Sequence, residues 1–433
     1  MKISPARIAA FEILVKIAKE KSFSSALLPV YEKDLQTKDR ALCHELSLGV
    51  LRKQIYLDKI IESFTKNKKL DTAVRIALRL GIYQLKFLDK IPDYSAINES
   101  VNLVQFAKKT SAKGFVNAIL RRVLREEIEL KFIDEVERVS VETSHPRWLI
   151  ERWIKQFGFE KTENLAYANN QTPSLVFRLT GKSDENTLEI LSKIGLDFAE
   201  SKNVPNAFRV SKPNEILFAF AEEGKIYFQE ESSQLVGRTV NLSESEKFLD
   251  VCAAPGSKLS QIVSKSLNNN FITGGDLYEH RLRVVGETLE KTGAKNVNIL
   301  AYDALKHLPF ADESFDAVLV DAPCSGTGTI RHNPEIRCFL EEKDFAELSA
   351  KQLEILMNAS KVLKSGGRLI YSTCSLERDE NEAVCEKFLG QASNFKKVLP
   401  EISEDFLTSE DYARTFPDRD KMDGFFIAAF QKI

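Results

Sequence analysis

The spacing of apolar residues divides the chain into three parts, of which the first is helical. Through residue 128 apolar side chains recur three and four positions apart, as at Val74, Ala77 and Leu78, and glycines are few. This period is typical of amphipathic helices. Breaks such as Pro92 separate one helical pattern from the next. The pattern predicts a bundle of about six helices over 4–128.

The second part has the pattern of a small α+β platform. Charged residues over 129–142 lead to a helical pattern after His145, and short apolar runs follow. His145 is either a ligand or base or, as its proline neighbour favours, a structural histidine of the core. The platform is predicted to combine a helix near 184–194 with strands at Leu175–Leu179, Ala207–Val210 and Ile226–Phe228.

The third part alternates apolar runs of strand length with helical segments from Lys247 onward. Parallel neighbours need crossover connections, and a helix after each strand supplies them, so we predict a doubly wound parallel sheet. The closing run Phe425–Phe430 is predicted to pair antiparallel with a strand near Phe395–Leu399. The other strands are predicted to begin near Phe248, Phe271, Val297, Phe315 and Arg368.

Composition predicts a folded chain with several domains. The chain has 433 residues, of which 43% are hydrophobic, which is enough material for large cores. No apolar run approaches the ~20 residues of a membrane span, and the start, Met1–Arg7, lacks the apolar core of a signal peptide. We expect a soluble cytoplasmic protein with domains at 1–130, 131–240 and 241–433.

Charge is distributed unevenly along the chain. Net charge is −2, but residues 1–125 hold 24 Lys and Arg against 12 Asp and Glu, and the remainder holds 37 against 51. A basic module joined to an acidic one suggests a polyanion as the partner of the first. A solvated, lysine-rich helical surface explains the charge equally well. The basic residues near one predicted helix start are Lys108, Lys109, Lys113, Arg121 and Arg122.

The six cysteines are arranged for chemistry more than for cross-linking. They are too sparse for a disulfide framework, they form no Cys-x-x-Cys pair, and the chain has only five histidines. We therefore predict no zinc or other metal site. Cys252, Cys324 and Cys374 each follow a predicted strand.

Three strand ends in series carry groups suited to a nucleotide-like ligand. The first strand runs into Asp250–Lys258, whose small residues let backbone amides approach a ligand, although the glycine spacing of a Walker loop is missing. Asp276 ends the second strand and Asp303 follows the third, at the edge where open α/β sheets bind ligands. Asp276 suits ribose hydroxyls and Asp303 an adenine amino group. Either acid alone could instead cap a helix.

Two cysteines follow strands further along the sheet. Cys324 lies within Asp321–Gly328 and Cys374 within Ser372–Ser375. Adjacent parallel strands lie ~4.8 Å apart, so their ends can present two thiols to one cleft. Either cysteine alone is typical of a buried structural residue, whereas the matched pair favours nucleophilic chemistry. The first stretch taken alone makes Cys324 the candidate nucleophile, and Cys374 remains the alternative.

These stretches resemble known families over nearly the whole chain. One group resembles the NusB-type helical RNA-binding domain: Leu78–Leu85, Ile91–Glu99 and Gly114–Arg122. A second group resembles the S-adenosylmethionine-dependent RNA (cytosine-5)-methyltransferases, in the RsmB (Fmu, Sun) branch that methylates small-subunit ribosomal RNA: Cys252–Lys258, Asp321–Cys324, Ser372–Ser375, Gln229–Gln234 and Asp423–Ala428. The resemblance implies an all-α NusB-like bundle, a small RRM-like α+β platform and a C-terminal Rossmann-like α/β methyltransferase domain.

The resemblance also implies roles for individual residues. Cys374 would add to carbon 6 of cytosine and make carbon 5 nucleophilic, and Cys324 would assist release of the product. Asp321 would hold nitrogen 3 and the exocyclic amine, and Lys258 would lie near the base. The S-adenosylmethionine site would consist of Cys252, Ala253, Ala254, Pro255, Gly256, Ser257, Lys258, Asp276, Asp303 and Asp321.

Two positions depart from the pattern of that branch. Ser257 replaces a usual glycine, and His332 replaces a usual arginine. The first bears on the geometry of the loop and the second on a phosphate or substrate contact. The resemblance implies 16S ribosomal RNA as the partner, cytosine 967 as the target and a monomer. The catalytic motifs do not encode the substrate, so a transfer RNA or protein target, or a non-catalytic RNA-binding or assembly factor, stays open.

Overall fold

The structure, a computed structural model, describes residues 3–65, 69–267 and 269–433. The chain forms two compact units, which we call the helical unit (Met1–Gln171 with Ile330–Glu342) and the sheet unit (Thr172–Thr329 with Lys343–Ile433). No helix in these described ranges combines the length and apolar character needed to cross a membrane.

The elements agree closely with those expected from the hydrophobic pattern. The helices are α1 (Pro5–Glu20), α2 (Ser24–Glu32), α3 (Thr37–Arg52), α4 (Gln54–Thr65), α5 (Thr72–Phe87), α6 (Asp93–Phe106), α7 (Lys113–Arg125), α8 (Glu135–Thr143), α9 (Arg147–Phe157), α10 (Phe159–Ala168), α11 (Thr187–Lys193), α12 (Glu215–Glu222), α13 (Glu231–Arg238), α14 (Ser257–Lys265), α15 (Glu279–Thr292), α16 (Ile336–Phe339), α17 (Asp344–Val362), α18 (Glu382–Gln391) and α19 (Pro417–Asp420). The strands are β1 (Leu175–Leu179), β2 (Phe198–Glu200), β3 (Ala207–Val210), β4 (Ile226–Phe228), β5 (Lys247–Asp250), β6 (Phe271–Asp276), β7 (Val297–Ala301), β8 (Phe315–Asp321), β9 (Leu363–Thr373), β10 (Phe395–Val398), β11 (Ala413–Arg414) and β12 (Phe426–Lys432).

The helical unit is built around α5. The Asp71 side chain caps this helix by accepting a hydrogen bond from the backbone N–H of Ala73 at 2.9 Å. Nearly every residue from Ala73 to Gln84 is buried, as expected of a helix surrounded by others. The predicted bundle is confirmed, with α1 to α7 in the described part of 4–128. Helix α8 lies where we expected a connector; Asp134 caps it by accepting from the N–H of Glu137.

The segment Ile330–Glu342 belongs to the helical unit, although it lies between β8 and α17 in the sequence. We call it the inserted segment. Its Arg337 is fully buried, and the guanidinium donates to the Thr143 carbonyl at 2.7 Å and to Asn170 Oδ1 at 3.0 Å. Glu335 accepts hydrogen bonds from the N–H and hydroxyl of Ser24 at 2.6 and 2.8 Å. Charged groups are buried here only with hydrogen-bond partners, which ties the segment to the helices.

His145 is a core residue of the same unit. It is fully buried, its Nδ1 lies 3.0 Å from Thr143 Oγ1 and 3.3 Å from Arg337 Nη1, and its ring centroid lies 5.5 Å from that of Trp153. Burial, and then the positive charge of Arg337, lower its pKa well below the ordinary value. A neutral, enclosed imidazole agrees with the structural role that the sequence favoured. His332 lies half-buried in the inserted segment.

The first sheet of the sheet unit is the predicted platform. Its strand order is β2-β3-β1-β4, with every pairing antiparallel. The three predicted strands are confirmed, and β2 was not predicted. Phe177 and Phe208 pack with Leu191 of α11 and Leu217 of α12 to form the platform's own core.

The second sheet has the order β10-β12-β9-β8-β5-β6-β7, with β11 paired to β12. The strands β9, β8, β5, β6 and β7 are parallel, and β12 pairs antiparallel with β9 and β10. Both the parallel sheet and the antiparallel closing strand are therefore confirmed. Strand order reverses between β5 and β8, and in such sheets the crevice at that switch point is where ligands bind.

Candidate active site

The turn from β5 into α14 packs closely against α15, and this packing requires glycine at residue 256. Gly256 has φ of +99°, and a Cβ there would lie 3.2 Å from both Val285 Cα and Thr288 Cβ. The backbone N–H of Ala253 donates to the Gly275 carbonyl at 2.7 Å. The loop is thereby held against the next strand with its small residues at the carboxyl end of the sheet.

Ser257 fits this loop without strain. It is the first residue of α14 and is not among the residues with positive φ, so the backbone does not require glycine there. Its carbonyl accepts a hydrogen bond from the Nη2 of Arg178 on the platform strand β1 at 3.1 Å. The departure from the family pattern at this position therefore leaves the turn intact.

The acids predicted to bind a ligand lie at the same sheet edge. Asp276 is 3% exposed and accepts hydrogen bonds from the Ala254 N–H at 3.3 Å and from Arg281 Nη1 at 3.1 Å. Asp303 is half-buried, and its Oδ1 accepts from the Leu305 N–H at 3.1 Å. Asp303 thus caps a turn, whereas the alternative left open by the sequence was the cap of a helix, and no helix lies between it and β8 in the described range 269–433.

Asp250 is an acid of this site that sequence reasoning did not assign. It ends β5, is 1% exposed, and accepts from the Cys252 N–H at 3.3 Å. Burial, and then the negative charge of Asp321, raise its pKa to about 7, while Lys258 opposes the rise. Its position after a strand was visible in the sequence, but its neighbours were not. Burial also raises the pKa of Cys252 well above the ordinary value.

The two candidate cysteines meet at the ends of β8 and β9. The strands pair in parallel with Asp321 opposite Ser372, and Cys324 Sγ lies 3.2 Å from Cys374 Sγ. The hydrogen bond to Cys374, and then burial, raise the pKa of Cys324 well above the ordinary value. The raised pKa keeps Cys324 protonated, within hydrogen-bond distance of Cys374.

An ion pair lies beside the thiols. Lys258 Nζ is 2.7 Å from Asp321 Oδ2, and the Ser372 hydroxyl donates to Asp321 Oδ1 at 2.7 Å. Burial alone would lower the pKa of Lys258, but the negative charge of Asp321, their hydrogen bond and the nearby Cys374 raise it. Lys258 therefore stays cationic beside Cys374. Its Nζ also lies 5.3 Å from the centroid of the Phe425 ring.

Two stretches quoted from the sequence support these loops. The Ser232 hydroxyl donates to the Asp423 carbonyl at 2.7 Å, and Glu230 accepts from the Asp423 N–H at 2.8 Å. This fixes Gly424, whose N–H donates to the Gly328 carbonyl at 2.8 Å. A Cβ on Gly328 would collide with the Gly424 backbone, so the close approach requires glycine. The supports of the catalytic loops are thus distant in sequence.

Comparisons with known families agree with this geometry. A model described as "16S rRNA methyltransferase RsmB/F" matches residues 238–431, the NusB family matches 4–125, and a ferredoxin-like domain of RsmF/B-like methyltransferases matches 145–217. A probable ribosomal RNA small subunit methyltransferase B of Bacillus subtilis is 33% identical over 446 residues, covering 100% of both chains. The chain belongs to the ribosomal RNA small subunit methyltransferase B family.

Other relatives extend the comparison. The Pseudomonas syringae ribosomal RNA small subunit methyltransferase B is 32% identical and covers 90% of this chain and 88% of its own. The crystal structure of PH0851 has a TM-score of 0.86 at 27% identity and covers 100% of both chains. A methyltransferase homologue from Pyrococcus horikoshii has a TM-score of 0.61 at 28% identity, over 70% of this chain and 100% of its own.

This family uses S-adenosylmethionine, and the site fits that cofactor. The turn at Gly256 places small residues at the carboxyl end of β5, and the carboxylates of Asp276 and Asp303 can accept hydrogen bonds from hydroxyl and amino groups. Burial favours the neutral form of Asp250 at the base of the loop. The predicted cofactor residues therefore form one edge of the sheet, adjoining the thiols.

We predict that Asp250 makes the stability of the protein fall as pH rises. Its folded pKa of about 7 exceeds an unfolded value of about 4, so the folded state binds the extra proton between these values. Compared with Asp250→Asn, the wild type should lose up to about 1.4 kcal/mol per pH unit across that window and nothing further above it. Chemical denaturation between pH 4 and 8 measures this difference.

Asp316 provides a matched control on β8. Although it is partly buried, hydrogen bonds from Lys364 and the Lys247 backbone lower its pKa. The wild type should therefore gain stability over Asp316→Asn as pH rises through the acid range, which is the opposite sign. A pH-independent difference between wild type and Asp250→Asn would contradict the assigned pKa.

Proposed function

We propose that the protein methylates carbon 5 of a cytosine in 16S ribosomal RNA, through a covalent adduct between Cys374 and carbon 6. The observation that carries this proposal is the pair of thiols 3.2 Å apart beside the Asp321–Lys258 ion pair. Resemblance points to cytosine 967 as the target and to a monomer acting in the cytoplasm. The match with curated small-subunit ribosomal RNA methyltransferases over the full length supports the RNA class.

The first step uses the asymmetry between the thiols. Carbon 5 of cytosine is a poor nucleophile until a thiolate adds to carbon 6 and converts the ring to an enamine. Cys374 Sγ lies 3.2 Å from Cys324 Sγ, and the cationic Lys258 lies close enough to Cys374 to interact with it electrostatically. A cation beside the attacking sulfur stabilises the negative charge that the sulfur carries into the addition.

Negative charge develops on the ring as Cys374 adds. The Asp321 carboxylate can accept from the exocyclic amine, and the Lys258 ammonium, 2.7 Å from Asp321, offsets the charge near nitrogen 3 and oxygen 2. S-adenosylmethionine supplies the electrophilic methyl group when bound.

Release of the product requires a base for the proton on carbon 5. That proton leaves, its electron pair restores the double bond between carbons 5 and 6, and Cys374 departs as a thiolate. Cys324 lies 3.2 Å from Cys374. Formation of the adduct removes the negative sulfur that raises the pKa of Cys324, so the Cys324 thiol then loses its own proton to solvent more readily. The resulting thiolate accepts the proton that leaves carbon 5.

We predict opposite outcomes for the two cysteines. Cys374→Ala should abolish methyl transfer to 16S RNA because no group remains to add to carbon 6. Cys324→Ala should accumulate a protein–RNA adduct that survives a denaturing gel, because addition proceeds and elimination stalls. Tritiated methyl transfer, followed by mapping of the modified nucleotide, measures both activity and target.

Cys338→Ala is the control, since Cys338 lies in α16 of the helical unit and should leave transfer and release unchanged. An adduct in Cys374→Ala but not in Cys324→Ala would reverse the assignment. Failure of the wild type to label small-subunit RNA under conditions in which it labels another RNA would refute the proposed substrate.

The basic surface of the helical unit is the candidate RNA contact. The side chains of Lys108 and Arg121 are exposed. Lys109 pairs with an aspartate at 2.9 Å, and Arg122 forms two hydrogen bonds to Glu126 at 2.7 and 2.9 Å. Two of the five basic residues proposed from sequence are thus partly neutralised within the protein, which reduces the attraction of this surface for phosphate.

We predict that Lys108→Ala with Arg121→Ala weakens RNA binding more than Lys109→Ala with Arg122→Ala. The first pair should also lower the slope of log affinity against log salt by about one unit for each phosphate that is no longer bound. Filter binding at several salt concentrations measures the slope, and calorimetry should show unchanged cofactor affinity. Lys387→Ala with Lys396→Ala, on the sheet unit, is the charge-matched control. Equal losses of affinity in all three proteins would show that this surface is only solvated.

A further inference from the structure

We propose that Glu380 is the positioning residue of the two-cysteine site, with a carboxylate that holds the loops after β8 and β9 at the spacing that brings the thiols together. This inference rests on the proposed function. Glu380 lies in the single turn Arg378–Glu380 that follows β9, and it is fully buried. Sequence reasoning gave it no role.

Both loops donate hydrogen bonds to the same carboxylate. Glu380 Oε1 accepts from the backbone N–H of Ser325 at 2.9 Å, and Oε2 accepts from the hydroxyl of Ser375 at 2.5 Å and from that of Ser325. Ser325 directly follows Cys324, and Ser375 directly follows Cys374. The two residues that anchor the carboxylate are therefore the immediate neighbours of the two thiols.

Other bonds fix the carboxylate itself. Gln352 of α17 donates through Nε2 to Glu380 Oε1 and to the Pro323 carbonyl, each at 2.9 Å. The Tyr371 hydroxyl of β9 donates to the Glu380 carbonyl at 2.6 Å. Burial of a carboxylate is costly unless hydrogen bonds replace water. Here those bonds are made to the cysteine loops and to the elements that flank them.

The sheet alone does not set the distance between the thiols. The β8–β9 register ends at Asp321 opposite Ser372, before either cysteine is reached. Beyond that point two links connect the loops: the Gly328 N–H donates to the Cys374 carbonyl at 2.9 Å, and the Glu380 carboxylate accepts hydrogen bonds from both loops. Its charge also adds to the rise in the pKa of Cys324, after the larger effects of the hydrogen bond to Cys374 and of burial. Glu380 thus supports both the distance and the protonated state of Cys324.

The rate of disulfide formation reports the spacing of the two thiols, and its measurement needs neither RNA nor methyl transfer. Diamide oxidises two adjacent thiols: the cysteines lose two protons and two electrons, and the azo bond becomes a hydrazine. In the full-length protein, Cys324 and Cys374 should couple readily because their sulfurs lie 3.2 Å apart. Peptide mapping by mass spectrometry follows this pair separately from the other cysteines.

We predict that Glu380→Ala slows formation of this disulfide by about tenfold or more, because the residues next to the two thiols lose the carboxylate that links them. Glu380→Asp keeps the charge, but its side chain is too short to reach both serines, so disulfide formation should also be slow in this variant. This result separates the effect of side-chain length from that of charge. Glu382→Gln is the matched control: Glu382 is nearly buried in the same region but pairs with Arg414 at 2.8 Å, and its coupling rate should equal that of the wild type.

A second pair of variants covers the case in which Glu380→Ala does not fold by circular dichroism. Ser325→Ala with Ser375→Ala removes the side-chain donors from both loops and leaves Glu380 in place, and it should slow coupling in the same way. Wild-type coupling rates in Glu380→Ala, or in the serine pair where the former is unfolded, would overturn the proposal.

The methylation assay provides the second readout. Glu380→Ala should lower kcat by about 100-fold, as expected for thiols displaced by about 1 Å, with the KM for RNA and cofactor unchanged. A rise in KM with unchanged kcat would overturn a positioning role. If the wild type did not methylate RNA, the proposed function would fail, but the rate of disulfide formation would still test the spacing of the thiols. Unchanged disulfide formation in Glu380→Ala, together with normal methylation by the wild type, would reject the role of Glu380 and leave the proposed function standing.

Discussion

The parallel pairing of β8 with β9 is the constraint on which the rest of the site depends. Because Asp321 lies opposite Ser372 in the register, the Ser372 hydroxyl reaches the Asp321 carboxylate, and the loops that follow carry Cys324 and Cys374 to a separation of 3.2 Å. A shift of register by one residue would turn every side chain of β9 to the other face of the sheet. The neighbouring strands β5, β6 and β7 then place the cofactor residues along the same edge.

The two thiols are chemically different because of what surrounds them. The hydrogen bond between the thiols, and then burial, raise the pKa of Cys324, whereas Cys374 interacts with the cationic Lys258. Position alone had made Cys324, after a proline at the end of a strand, the candidate nucleophile. Its environment instead raises its pKa and keeps it protonated. A pair of identical side chains can therefore divide addition and release between them, as two carboxylates do in other enzymes.

Much of this could be predicted from the sequence, because apolar periodicity and strand-end motifs are local signals. The bundle, the parallel sheet and the positions of Asp276 and Asp303 all follow from short stretches. The missing parts depend on distant contacts: Arg337 is held by residues near 143 and 170, and β2 is only three residues long. Glu380 stands among charged residues that are typical of a solvated turn, and only the fold shows that it is buried.

The most direct test of the account is to identify the residue that carries the RNA in a trapped adduct. A 16S RNA fragment with 5-fluorocytosine at the target position allows addition and methyl transfer but blocks elimination, because fluorine replaces the proton that must leave. Proteolysis and mass spectrometry then locate the modified peptide. The account predicts that the nucleotide is attached to the peptide that contains Cys374. A nucleotide on the peptide that contains Cys324, or methylation of normal RNA with no trapped adduct, would contradict it.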